Sequence, residues 1–131
     1  MNPAALAMVV LPHRLSLCQL PSTEASLTWS TRAEFCSIMR TPTELSVICD
    51  EGVVPADVKV DSPWRAIEIL GPLPPELTGV IAAFSRTLAE AQISIAVISS
   101  STTEYILVQD ANLAKAVEAL RAAGHSISHR D

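Results

Sequence analysis

Three histidines, three cysteines and a run of hydroxyls are the side chains of this 131-residue sequence that could do chemistry. Hydrolysis or group transfer needs a nucleophile with its base, or paired acids, converging on one pocket. His125 and His129 follow the last helical stretch and His13 follows Pro12, placements that suit surface or turn residues rather than general bases. Cys18, Cys36 and Cys49 are odd in number and lack Cys-x-x-Cys spacing, so they read as reduced, mostly core cysteines of a cytoplasmic protein rather than metal ligands. The glycines, at 52, 71, 79 and 124, form no Gly-x-Gly-x-x-Gly, and no Gly-Lys-Ser/Thr phosphate loop occurs. A non-catalytic chain is expected, with no metal and no cofactor. Binding remains, and three local features support it. Gly71 to Gly79 is a proline-rich stretch leading into a helix start, where unbonded N–H groups can seat a carboxylate. Ser99 to Thr103 is five consecutive hydroxyl side chains. Glu104, at a strand start, could accept from an ammonium or guanidinium group.

The elements that must position these residues are clearest in the second half. Trp64 to Leu70 has strand character and stops at Gly71-Pro72-Leu73-Pro74-Pro75. Leu77, Val80, Ile81, Phe84 and Leu88 recur at the spacing of one helical face. Ile93 to Ile98 and Tyr105 to Val108 read as a hairpin. Asp110 then suits an N-cap, Leu113, Ala116, Val117 and Leu120 make a second stripe, and Gly124 suits the end of that helix. Ile127 falls in a last short strand. The order β-α-β-β-α-β is the ferredoxin-like α+β pattern, with two helices on one face of a four-stranded antiparallel sheet. Phosphate hydrolysis on such a fold would want a positioned Asn, yet only Asn2 and Asn112 exist. RNA binding would want aromatics on the central strands, where Ile, Val and Ser stand.

The first half reads as a decayed copy at an offset of sixty residues. Ile38 then falls on Ile98, Thr43-Glu44 on Thr103-Glu104, Leu45 on Tyr105, Val47 on Leu107 and Ile48 on Val108. Residues 1–62 form the first repeat, with a helix within Thr23 to Ala33 and a second helix reduced to one turn, and residues 63–131 form the second. Ile95-Ala96-Val97-Ile98 and Ile106-Leu107-Val108 are apolar on both faces, where a sheet covered on one side alternates. Something must cover the second face. A homodimer is the expected cover, since large exposed apolar faces are rare on monomers.

Composition excludes several other classes. With 49% hydrophobic residues the chain is not disordered. Nine scattered Lys and Arg against fourteen Asp and Glu, a net charge of −5, argue against nucleic acid as a partner. The longest wholly apolar run, Ala4 to Leu11, falls far short of the ~20 residues that span a bilayer, so no membrane partner is expected. The start, Met1-Asn2-Pro3, lacks the basic region of a secretory leader.

Arg40-Thr41-Pro42-Thr43-Glu44-Leu45-Ser46-Val47-Ile48-Cys49, Trp64-Arg65 leading to Gly71-Pro72-Leu73, Leu77-Thr78-Gly79-Val80, Leu88-Ala89-Glu90-Ala91-Gln92-Ile93-Ser94 and Thr103-Glu104-Tyr105-Ile106-Leu107-Val108 together resemble the small bacterial tandem ACT-domain proteins. These are similar to the regulatory ACT pair of aspartate kinase and to CASTOR-type arginine sensors. The resemblance implies two βαββαβ repeats and an allosteric regulatory role with an amino-acid ligand held between ACT units. Carried over, Leu77, Thr78, Gly79 and Val80 would bind the α-carboxylate and α-amino groups through backbone atoms. Ile98, Ser99, Ser100, Thr102 and Thr103 would line the wall. Glu104 stands where family members more often place Asp, and Thr41 and Thr43 would join from the first repeat. The alternative is an ACT-fold scaffold for dimerisation or a protein partner, without a ligand.

Overall fold

The structure is a computed structural model and describes residues 5–71 and 78–131. Two compact units emerge. One comprises residues 1–12 and 65–131, and the other residues 13–64. The sequence division at 62/63 lies close to the second of these junctions, but the N-terminal strand groups with the C-terminal half.

In the first unit, β1 (Ala7–Val10) lies between β5 (Lys59–Ile69, the part from Arg65 onward) and β8 (Ser126–His129). It pairs antiparallel with β5, Met8 opposite Ile69, and parallel with β8, Met8 opposite Ile127. β6 (Ile95–Ser99) and β7 (Glu104–Gln109) complete the order β6-β7-β5-β1-β8. The sheet of this unit therefore has five strands rather than four, and one of its pairings is parallel. The reason lies in the sequence of β1. Met8, Val9 and Val10 are all buried, and a strand apolar on both faces belongs inside a sheet rather than at its edge.

Helices α1 (Val80–Glu90) and α2 (Leu113–Ala122) pack on one face, where Phe84, Leu88, Ala116 and Leu120 join Met8, Val10, Ile67, Ile69, Ile106 and Val108 in one core. Ile81 is the exception to the expected stripe, at 46% exposed. Val80, Phe84 and Leu88 recur every four residues and set the buried face, and Ile81 falls on its shoulder. On the other side of the strands Val9, Ala66 and Leu107 are equally enclosed within the one chain. At these positions the doubly apolar pattern is met without a second copy.

Both helices end in the same way. Gly124 (φ 102°) follows α2, with the His125 N–H donating to the Leu120 carbonyl (3.1 Å) and the Gly124 N–H to that of Arg121 (3.0 Å). This is a Schellman end. After α1 the corresponding left-handed position is Gln92 (φ 60°), with the Ile93 N–H on the Leu88 carbonyl and the Gln92 N–H on that of Ala89, both 2.9 Å. A left-handed residue with a Cβ costs more than glycine's extra chain entropy, so Gln92→Gly is expected to stabilise the chain by roughly 0.5–1 kcal/mol. Urea titration reads the gain. A loss would mean that the Gln92 side chain holds a contact worth more than the strain.

The second unit is a four-stranded ladder, β3 (Cys36–Arg40), β4 (Leu45–Asp50), β2 (Leu15–Leu20) and the first part of β5. Residues 13–64 contain no α-helix. The expected helix within Thr23 to Ala33 is a 3-10 helix over Thr28–Arg32, and a shorter one spans Glu51–Val53. Ser30 and Thr31 turn their hydroxyls back onto the carbonyls of Leu27 (2.7 Å) and Thr28 (2.8 Å), an alternative to helical bonding that keeps such segments short. Leu27, Trp29, Val53 and Val54 from these segments pack on Cys18, Val47 and Cys49.

The two hairpins are built alike, but the repeat is 59 residues and not sixty. Arg40 pairs with Leu45 and Ser99 with Glu104, each closing a four-residue connection, and Cys36 opposite Cys49 corresponds to Ile95 opposite Val108. Val47 thus matches Ile106, and both face a core. The sixty-residue offset put Val47 on Leu107, which lies on the other face. A one-residue slip inverts every side chain of a strand. Hydropathy did not expose it because Ile106, Leu107 and Val108 are all fully buried.

Candidate functional site

Three segments of the first unit carry most of the expected site residues: the start of α1, the β6–β7 turn and the head of β7. The Thr103 hydroxyl donates to the carbonyl of Ile69, and this buried bond ties the turn to the end of β5, from which the chain continues toward α1. Thr103 is 6% exposed, so its hydroxyl serves the fold. Ser100 organises the rest of the turn. Its N–H donates to the Thr103 carbonyl (2.8 Å), and its Oγ accepts from the N–H groups of Thr103 (3.1 Å) and Thr102 (3.3 Å). This is the hydroxyl-closed turn that Ser and Thr favour. Ser99 and Glu104 face one another across the strands, and the Ser99 hydroxyl donates to the Glu104 carboxylate. Ile98 is half-buried opposite Tyr105.

At the other segment, Leu77 lies outside the described residues, and Thr78 and Gly79 are exposed. Gly79 is the N-cap of α1 and has left-handed geometry (φ 77°), with its carbonyl accepting the first helical bond from the Ala83 N–H (2.9 Å). As a glycine, the N-cap residue brings no side-chain hydrogen bond to this end. The N–H groups of a helix's first turn have no intrahelical partners and lie at the positive end of its dipole. Val80 contributes only its backbone here, because its side chain is buried in the core. Thr41 and Thr43 belong to the second unit. They close the β3–β4 connection, the Thr43 N–H donating to Thr41 Oγ1 (3.3 Å) and the Thr41 N–H to the Glu44 carbonyl (2.8 Å). Theirs is the structural counterpart of the Ser100–Thr103 turn.

The histidines divide differently from expectation. His125 is not a surface residue. It is 6% exposed, and its Nδ1 accepts the Leu6 N–H at 3.0 Å, which places the ring proton on Nε2. The ring anchors the segment ahead of β1. His13 is partly buried, with Nε2 3.7 Å from Glu34. Together with Asp50, His13 and Glu34 bring ligand-type atoms within 4.8 Å of one another. The Asp50 oxygens, however, accept the N–H groups of Glu34 (2.9 Å) and Phe35 (3.1 Å), so this carboxylate clamps the approach to β3. Asp110 lies in a 3-10 turn ahead of α2, where its carboxylate meets Arg65 at 3.4 Å, and Arg65 also donates to the Leu11 carbonyl (3.0 Å).

A feature absent from the sequence reading is a groove of about 430 Å³ along α2, lined by Leu113, Ala114, Val117, Glu118, Arg121 and His129. Leu113 and Val117 had registered only as core positions of a stripe. That stripe is wider than the core it fills, and this is the one signal the sequence carried.

Comparison with known proteins bears on this geometry. Residues 59–122 match the family model of the ACT domain, and residues 14–57 match a separate model of an N-terminal domain. No curated protein matches the chain. Among solved structures, a protein of Agobacterium tumefaciens is similar at 29% identity and a TM-score of 0.92, over 98% of this chain and 96% of that one. The fold is shared with a Vibrio cholerae protein of unknown function described as a possible transport protein (22% identity, TM-score 0.76, 92% and 91% covered). It is shared too with the ligand-free regulatory subunit of aspartate kinase from Thermus thermophilus (11% identity, TM-score 0.59, 93% and 99% covered).

Proposed function

We propose that this chain, whose residues 59–122 form an ACT domain, is a non-catalytic regulatory module that binds a free amino acid. The observation that carries the reading is the start of α1, where the exposed Thr78 and Gly79 lead into the helix and the left-handed Gly79 has no side chain of its own to cap it. Such an end suits an α-carboxylate. Thr78, Gly79 and the Val80 N–H would hold the backbone of the ligand. Ile98, Ser99, Ser100, Thr102 and Thr103 would form the wall, and Glu104 would accept from the ammonium, exchanging the Ser99 hydroxyl for it. Occupancy becomes a signal only if the ligand favours one arrangement of the protein over another. Three free thiols suit a reducing compartment, and we assign the protein to the cytoplasm.

A thermal-shift screen against the twenty amino acids tests the reading. A ligand at ~100 times its dissociation constant adds about 2.7 kcal/mol, a rise of several degrees in Tm. Gly79→Asp places a competing carboxylate at the same N–H groups and is expected to abolish the shift while circular dichroism stays unchanged. No shift with any amino acid at millimolar concentration sinks the sensor reading.

One observation favours a scaffold instead. On the outer strand β3, Ile38 and Met39 are 50% and 62% exposed, which suits self-association as a homodimer or a protein partner. Under that reading sedimentation shows a dimer whose strength is indifferent to amino acids, and Met39→Lys dissociates it.

A further inference from the structure

The cysteines form a group that the regulatory reading does not use. Cys36 on β3 stands directly opposite Cys49 on β4, and Cys18 on β2 stands opposite Val47, two residues from Cys49 along β4. Residues directly paired across a ladder, and those two apart along a strand, share a face. All three thiols thus lie on the side of the ladder where Cys18, Val47 and Cys49 form the core of the second unit. They differ in access. Cys36 is exposed, on a strand at the end of the ladder, whereas Cys18 and Cys49 are buried.

We propose that Cys36 and Cys49 are an oxidation site at which a hydroperoxide joins the two thiols in a cross-strand disulfide. Directly paired residues of antiparallel strands have Cα atoms ~4.5–5.5 Å apart, inside the ~4.4–6.8 Å window of disulfides. Cys18 and Cys49 sit on a diagonal, ~7–8 Å apart in such ladders, at or beyond the reach of a disulfide. The Cys18 thiol donates instead to the Ser16 carbonyl (3.9 Å). Cys36, the exposed thiol, is therefore the one a hydroperoxide meets first, and Cys49 is its partner across the ladder.

The chemistry proceeds in two steps. The Cys36 thiolate attacks one peroxide oxygen, the O–O bond breaks, and the leaving oxygen departs as water (or an alcohol) after taking a proton, which leaves a sulfenic acid on Cys36. Cys49 Sγ then attacks Cys36 Sγ. The S–S bond forms as the S–O bond breaks, and the hydroxyl leaves as water with the Cys49 proton. Two thiols are oxidised by two electrons, and one peroxide is reduced. A thiol reductant reverses the bond by exchange at the exposed Cys36 sulfur. The product ties the outer strand to β4 covalently.

The test uses the full chain, hydrogen peroxide and non-reducing peptide mapping. Trypsin places the three cysteines on separate peptides, 15–32, 33–40 and 41–59. The expected product is two hydrogens lighter than the reduced protein, with 33–40 joined to 41–59. Cys36→Ser, an exposed change, abolishes it with circular dichroism unchanged. Cys49→Ser leaves a sulfenic acid on Cys36 that dimedone traps. Cys18→Ala gives the same product, because Cys18 stands opposite Val47 and not opposite Cys49. A link between 15–32 and 41–59, dimers joined through Cys36, or a sulfinic acid on Cys36 beside a free Cys49 would overturn the assignment.

Discussion

Phe84→Ala is expected to lower the stability of the chain by about 3–5 kcal/mol, the cost of emptying an aromatic site in a packed core. Phe84 has no exposed surface and is among the largest fully buried side chains of the described residues. It projects from the middle of α1 into a cluster formed by β1, β5, β7 and α2. The surrounding Leu, Ile and Val side chains are held by strands paired on both sides, so they can close only part of the void. For a chain of this length the loss corresponds to a fall in Tm on the order of 10–20 °C. Ile81→Ala, three residues away on an exposed shoulder of the same helix, is the matched control and should stay within about 0.5 kcal/mol. Urea titration of the two variants measures the difference. Equal effects would mean that α1 does not use the Val80-Phe84-Leu88 face. The comparison also bears on the proposed ligand site, because that face fixes how Gly79 and the first turn of α1 are presented.

The second large effect lies in the other unit. Val47→Asp puts a carboxylate at a position with no exposed surface, in the middle of β4, between Cys18 on β2 and Ile38 on β3. The packed neighbours Cys18 and Cys49 offer no cation. A buried charge left uncompensated costs about 3–5 kcal/mol, and burial raises the pKa of such a carboxyl above its unfolded value near 3.9. The folded state then binds the proton more tightly than the unfolded state does. The variant should therefore lose least against the parent at pH below the unfolded pKa, and its deficit should grow as pH rises until it passes the folded pKa, where it levels off. Chemical denaturation of parent and variant at pH 5 and pH 8 reads that trend. A deficit independent of pH across this range would mean that the new side chain reaches water and that the face is open. Val47→Ala, which leaves only a small cavity, separates the charge from the packing loss.

Much of the site's setting was legible because it depends on neighbours in sequence. The spacing of Val80, Phe84 and Leu88, the stripe of Ala116, Val117 and Leu120, and Gly124 at a left-handed position each record a local requirement, and each appears in the structure. The turn from Ser100 to Thr103 was legible too, since hydroxyls that close a turn act within a few residues. Asp110 misled for a related reason. A short acid before an apolar stripe looks like a cap, but Arg65, 45 residues away in sequence, takes its carboxylate. His125 misled because nothing local shows that the Leu6 N–H, 119 residues distant, needs an acceptor.

By itself, then, the sequence determined an α+β chain with a four-element pattern of helices and hairpin in its second half, and a hydroxyl-closed turn between the hairpin strands. Local periodicity and turn chemistry are sufficient for all of that. Only the tertiary structure decided that the N-terminal strand joins the C-terminal half, that the hairpins repeat at 59 residues, and that Cys36 faces Cys49. Strand pairing is a choice among distant partners, and a chain apolar on both faces, as at Met8 to Val10 and Ile106 to Val108, leaves hydropathy unable to say which partner or which register wins. Packing and the backbone bonds of both neighbours settle it together.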